Sequence, residues 1–168
     1  MGASYFEDKQ YAGKYADVFT QSYHPVKNFT TGEGGAVLTN ESIIDEKVRC
    51  LRNHGMTRDP NQLENNDEPW HYEMHEVGYN YRITDFQCAL GSSQLEKLDR
   101  FVQKRRKIAK RYDESFSNYD TLTIPKTHHS VDHAYHLYPL KIDFEKPLTK
   151  SQYFEKMEQN SVKLQVHY

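Results

Sequence analysis

The residues most able to do chemistry lie in Ser22-Tyr23-His24-Pro25-Val26-Lys27-Asn28, followed by Thr31-Gly32-Glu33-Gly34-Gly35. One lysine, Lys27, stands in a bend, with Ser22 ahead of it and glycines just after it. A lysine nucleophile must spend time neutral, which requires partial burial or a nearby cation. His24, Val26 and Phe29 are neighbours of that kind. The Ser22 hydroxyl can donate to an anion, and Gly32, Gly34 and Gly35 permit a tight turn and close approach of backbone to a ligand. The competing reading is a solvated surface lysine, as most lysines are.

A second constellation is Gly78-Tyr79-Asn80-Tyr81-Arg82, which runs into Thr84-Asp85-Phe86-Gln87. Thr84 and Gln87 form a capping-box pattern. Polar side chains at such a helix start suit an anion. Arg82 has two open readings, a ligand contact or a brace onto an acidic side chain, since arginine serves both. Nine histidines raise a third possibility. His71 and His75 have a helical metal-ligand spacing, and His128, His129, His133 and His136 cluster. No cysteine or carboxylate pattern of a zinc site surrounds either group. Surface or hydrogen-bonded histidines are the expectation, with no metal.

These residues need elements to hold them. Residues 16–21 and 36–39 have strand character, so Lys27 falls on the connection between two strands, with Pro25 fixing the backbone. Met1 to Lys14 reads as loop or short hairpin. Asn40 or Ser42 can cap a helix whose Ile44, Val48 and Leu51 face the core. Met56 to Pro69 is polar and reads as a long surface loop. A helix from Thr84 to about Asp99 buries Phe86, Leu90 and Leu98. Another, Leu98 to Phe116, carries the stripe Phe101, Ile108, Tyr112, Phe116, with its basic residues on a solvated face. Beyond Asp120, strands are expected at Leu122–Ile124, Tyr135–Ile142 and Val162–Val166. Thr149 and Gln152 cap a helix running to about Gln159.

The chain has 168 residues, 22 basic and 24 acidic, for a net charge of -2. That balance calls for neither nucleic acid nor an acidic membrane surface. Hydrophobic residues make up 36%, and the mean hydropathy of -0.94 is thin for a self-sufficient α/β domain. Cys50 and Cys88 lack CxxC spacing and point to a reducing compartment. Met1 to Thr20 lacks the apolar segment of a signal peptide, and no run reaches transmembrane length. A cytoplasmic protein is expected.

Ser22 through Gly35 resembles the cofactor-lysine segment of the DegT/DnrJ/EryC1/StrS sugar aminotransferases, which use pyridoxal 5'-phosphate and have fold type I. Gly78-Tyr79-Asn80-Tyr81-Arg82-Ile83-Thr84-Asp85 resembles the family's G-x-N-x-R-x-T/S-D segment. The resemblance implies that Lys27 holds the cofactor as an imine and that Ser22 contacts its phosphate. It also implies that Asn80, with Arg82 beside it, reaches the phosphate of a neighbouring subunit, so a homodimer with a shared site is expected. It implies an α/β fold. Residues 1–118 would be part of the cofactor-binding large domain, and residues 119–168 the start of a small C-terminal domain.

The implied activity is transfer of an amino group, with glutamate as donor, to a nucleotide-linked keto sugar in amino-sugar and cell-surface polysaccharide synthesis. Family members with histidine at the lysine position are dehydratases, so Lys27 points to transamination. The motifs are most similar to the branch that makes 4-amino-4,6-dideoxy sugars on a UDP carrier. The family places its ring-nitrogen aspartate just upstream of a Gly-Ala-Ser-like segment, and this chain begins at Met1-Gly2-Ala3-Ser4. The alternative expectation is therefore a non-catalytic piece that folds or self-associates.

Overall fold

The computed structural model describes residues 1–5, 10–65, 68–144 and 148–167. Parts of the expected N-terminal hairpin (6–9) and of the polar loop (66–67) lie outside these residues, as does Tyr168.

The architecture is mixed α/β, with helices and short antiparallel ladders. β1 (Ser4–Tyr5) is followed by a 3-10 turn at Ala12–Tyr15. Strands β2 (Val18–Ser22) and β3 (Gly35–Thr39) pair in register from Val18↔Thr39 to Ser22↔Gly35. Lys27 thus lies on their connection, as expected. α1 (Ser42–Leu51) follows. Neither Asn40 nor Ser42 caps it. Glu41 holds the cap position without a side-chain bond, and its N–H donates to Thr39 Oγ1 at 3.0 Å. Ile44, Val48 and Leu51 share its half-buried face.

The polar stretch after α1 is tied at both ends, because β4 (Met56–Thr57) pairs with β5 (Glu73–Met74). α2 (Asp85–Leu95) carries the complete Thr84/Gln87 capping box. It ends at Leu95, short of the expected Asp99, and α3 (Leu98–Phe116) begins three residues on. Phe86 and Leu90 do not face a core. Phe86 is 90% exposed and Leu90 41%, while Gly91 is the buried residue of α2 and packs against Thr31. The stripe on α3 also needs correction. Its buried residues are Val102 and Ala109, and Ile108 and Tyr112 are exposed. Spacing identifies which residues share a face, but the neighbours decide which face is covered.

The core is small. Phe29, Val102, Ala109 and Ala134 are its buried apolar members, and the polar Asn28 and Thr31 are buried with them. It sits where the 23–34 connection, α3 and the segment 131–136 meet. In the C-terminal part, β6 (Leu122–Thr123) pairs with β8 (Lys141–Ile142), and β7 (Val131–Asp132) pairs back to β1. The strand expected over Tyr135–Ile142 is therefore only its last two residues. α4 (Lys150–Gln159) has the Thr149/Gln152 capping box. Val162–Val166 forms no strand among the described residues, and both valines are exposed. Alternation prepares a strand, but a ladder also needs a partner for its N–H and C=O groups.

Candidate active site

The Lys27 turn is built from its own sequence. The Lys27 N–H donates to the His24 carbonyl at 2.9 Å, placing Pro25 at the second position of a β-turn, where its fixed φ is favourable. The connection is then closed from inside. Tyr23 N–H donates to Gly34 O at 2.9 Å, and Thr31 N–H to Tyr23 O at 3.1 Å. Thr30 Oγ1 also donates to Tyr23 O, at 2.7 Å. Gly34 has φ +150, and a Cβ there would collide with Thr31 Oγ1 at 2.5 Å, so this position needs glycine.

Lys27 is half-buried and Ser22 exposed. Ser22 Oγ accepts the His24 N–H at 3.4 Å, which leaves its hydroxyl proton available to an anion. His24 Nε2 lies 3.8 Å from Glu33 Oε1. Asn28 faces inward, and its Nδ2 donates to the Ala134 carbonyl at 2.9 Å. Two contributors near Lys27 carry no sequence signal for this site, His136 standing out only as one of a histidine cluster. Arg105, expected on a solvated face, donates to the carbonyls of Val26 and Lys27 from one nitrogen and of Tyr135 and His136 from the other. His136 has a buried Nε2 without a partner among the described residues. Burial, then the charges of Lys27 and Arg105, holds its imidazole pKa below the usual range.

Asn80 and Arg82 belong to a different piece of structure. Tyr79 N–H donates to Leu51 O at 2.7 Å, Tyr81 N–H to Arg52 O at 2.9 Å, and His54 N–H to Tyr79 O at 2.8 Å. These bonds fasten the 79–82 segment to the end of α1. Arg82 Nη1 donates to Asn53 Oδ1 at 2.7 Å, so one of its donors braces this junction. Asn80 is exposed. Among the described residues no hydrogen bond links Asn80 or Arg82 to Ser22 or Lys27. The connection between the two pieces runs through Gln87, whose Nε2 donates to Glu33 O at 2.8 Å.

Four of the candidate histidines, His71, His75, His128 and His133, have hydrogen-bond partners within the chain. Residues 71–75 are not helical, because Glu73 and Met74 form β5. The Glu73 carboxylate bridges His71 Nε2 at 3.0 Å and His75 Nε2 at 2.9 Å, and accepts the Glu64 and Asn65 N–H groups. His128 pairs with Ser130, and His133 Nδ1 accepts the Tyr135 N–H. Among the described residues no histidine, cysteine or carboxylate group is arranged to hold a metal ion. No described helix is long and apolar enough to cross a membrane. A cleft of about 1120 Å³ opens between the β2–β3 hairpin, α1 and α2, with mostly apolar walls that include Phe29, Val48, Leu51 and Leu95. Ser22, Lys27 and Asn80 do not line it, whereas Arg82 does.

The donor set at the turn fits pyridoxal 5'-phosphate. It offers a half-buried primary amine, a hydroxyl with a free proton one strand end away, and glycine backbone at the mouth.

Residues 1–168 match the DegT/DnrJ/EryC1/StrS aminotransferase family over their whole length. A UDP-4-amino-4,6-dideoxy-N-acetyl-beta-L-altrosamine transaminase of Campylobacter jejuni is 40% identical over 169 residues, covering 100% of this chain and 42% of that protein. Among solved structures, Helicobacter pylori PseC, an aminotransferase involved in pseudaminic acid biosynthesis, superposes with a TM-score of 0.80 at 32% identity. It covers 92% of this chain and 39% of the other. The PLP-form of a sugar aminotransferase from Streptococcus pneumoniae, Spr1654, also gives 0.80, at 26% identity over 99% and 41%. The chain therefore spans about two fifths of the length of the relatives it matches.

Proposed function

The chain belongs to the DegT/DnrJ/EryC1/StrS aminotransferase family, and we propose that it carries the lysine-bearing part of a pyridoxal-phosphate sugar aminotransferase. The observation that supports this best is the Lys27 turn itself. It is a half-buried lysine on a loop closed by its own backbone, with the Ser22 hydroxyl at the end of β2. Lys27 Nζ would hold the cofactor, and Ser22 Oγ its phosphate. The bound cofactor supplies the electron sink for reaction at the carbon bearing the amino group. Lys27 Nζ takes and returns the proton at that carbon as general base and acid. The half-buried setting restricts water around it.

Asn80 is assigned to the phosphate held by a second protomer. Its exposure, and its separation from Lys27 within the chain, suit that role. Arg82 has five donors and spends one on Asn53, so it can brace its loop and still offer N–H groups outward to the same anion. The dimer follows from this assignment. The amino donor is proposed as glutamate and the acceptor as a nucleotide-linked keto sugar, in keeping with the named relatives. Residues 1–118 are assigned to the large domain and 119–168 to the small one, with 131–136 joined to the former through β1, Asn28 and α3.

The test is spectroscopic. Pyridoxal phosphate added to the chain should give a visible band that L-glutamate then removes. A band unaffected by glutamate would overturn the transamination reading, and no band would overturn the cofactor site.

A further inference from the structure

Five consecutive carbonyls, from Asp132 to His136, are each gripped by a side chain. Arg106 Nη2 and Nε donate to Asp132 O at 3.1 Å and His133 O at 2.9 Å. Asn28 Nδ2 donates to Ala134 O at 2.9 Å. Arg105 Nη1 donates to Tyr135 O and His136 O, both at 3.1 Å. Past β7 this stretch has no ladder of its own, so side chains replace the missing backbone partners. Tyr135 has φ 47, a left-handed conformation that a bulky residue keeps only under external constraint.

The second half of the Arg105 fork closes the arrangement. Its Nη2 donates to Lys27 O at 3.2 Å and Val26 O at 3.4 Å. One guanidinium therefore joins the main chain of the cofactor lysine to a strained segment more than a hundred positions away, carrying His136 with its unpartnered Nε2. A planar fork can serve two pairs of carbonyls at once, which a single ammonium cannot. Arg105 also puts a fixed positive charge beside the lysine loop. Arg106, one residue on, grips only the far segment and leaves Lys27 untouched.

We infer that Arg105 is a positioning residue for Lys27, setting the lysine's main chain against residues 135–136 through a four-carbonyl clamp. This rests on the assignment of Lys27 as the cofactor lysine.

The test compares Arg105→Ala, Arg105→Lys and Arg106→Ala in the 168-residue chain by amide hydrogen exchange, read by mass spectrometry. Both Arg105 variants should lose protection about tenfold or more over residues 24–31 and 134–137. Arg106→Ala should lose it only around 131–134. With pyridoxal phosphate bound, the pH midpoint of the visible band should rise in Arg105→Ala, because removing a nearby cation favours the protonated form. It should stay in place in Arg106→Ala, which a merely structural role at Arg105 would not predict. Unchanged protection over 24–31 in the Arg105 variants, or an equal loss there in Arg106→Ala, overturns the inference. So does global unfolding of Arg105→Lys, which would make Arg105 a core residue. If the unaltered chain shows no band, the cofactor assignment fails, while the exchange pattern still decides whether the clamp exists.

Discussion

Around Lys27, most buried polar groups find partners inside the chain; around Asn80, several large apolar side chains stay exposed. The 23–34 connection is closed by bonds of its own backbone, is held at Val26, Lys27 and Glu33 by side chains from α2 and α3, and buries Asn28, Phe29 and Thr31. The 70–90 stretch is pinned to α1 by backbone bonds, yet it turns Trp70, Tyr72, Val77, Tyr81 and Phe86 to solvent, Val77 at 87% exposure. Tyr79 and Tyr81 stack on each other at 4.7 Å. Large apolar side chains left exposed in one stretch of chain are the kind of surface that a partner covers. The contrast suggests a division of labour, with the lysine positioned from within and the Asn80 segment made to be completed from outside.

Substitutions can break that contrast. The largest effect is expected for Asn28→Ala, which strands the buried Ala134 carbonyl. It should cost about 1–3 kcal/mol in chemical unfolding. Gly34→Ala should cost about 1–2 kcal/mol, because a side chain at φ +150 is strained and meets Thr31. Phe86→Ser should change the stability of a lone protomer by less than about 0.5 kcal/mol, as exposed sites do, while weakening self-association in sedimentation. A cost above about 1 kcal/mol for the lone chain would show that the face is already covered from within.

The smallest effect sharpens the comparison at one carboxylate. His75, then the Glu64 and Asn65 N–H groups, then His71 hold Glu73 well below the usual carboxylate range. A depressed folded pKa contributes stability above the unfolded value of about 4.3 and loses it as pH falls through the folded value. Amide exchange at Glu64 and Asn65 should therefore accelerate below about pH 4, and Glu73→Gln should flatten that dependence. The protection of the Lys27 turn should not follow it.

Much of this was legible in the sequence because its signals are local. The bounds of α3, both capping boxes and the β2–β3 hairpin with Lys27 between its strands follow from spacing, cap residues and turn residues. What was not legible depends on partners distant in sequence. Arg105 and Arg106 look like any solvated pair until residues 132–136 arrive with unpaired carbonyls. Phe86 and Leu90 have the spacing of a buried stripe, but the described residues leave Phe86 almost fully exposed and cover Leu90 only in part. The alternation of Val162–Val166 lacks a strand to pair with among the described residues. His71 and His75 have ligand spacing only on a helix, and the local structure is extended around Glu73.

The central claim is that Lys27 is the cofactor lysine, and one measurement addresses it directly. The chain is mixed with pyridoxal phosphate, reduced with borohydride, digested, and its modified lysines are mapped by mass spectrometry beside Lys27→Ala. The account predicts an adduct concentrated at Lys27 that the variant lacks. Labelling scattered over surface lysines, and equal in the two proteins, would contradict it.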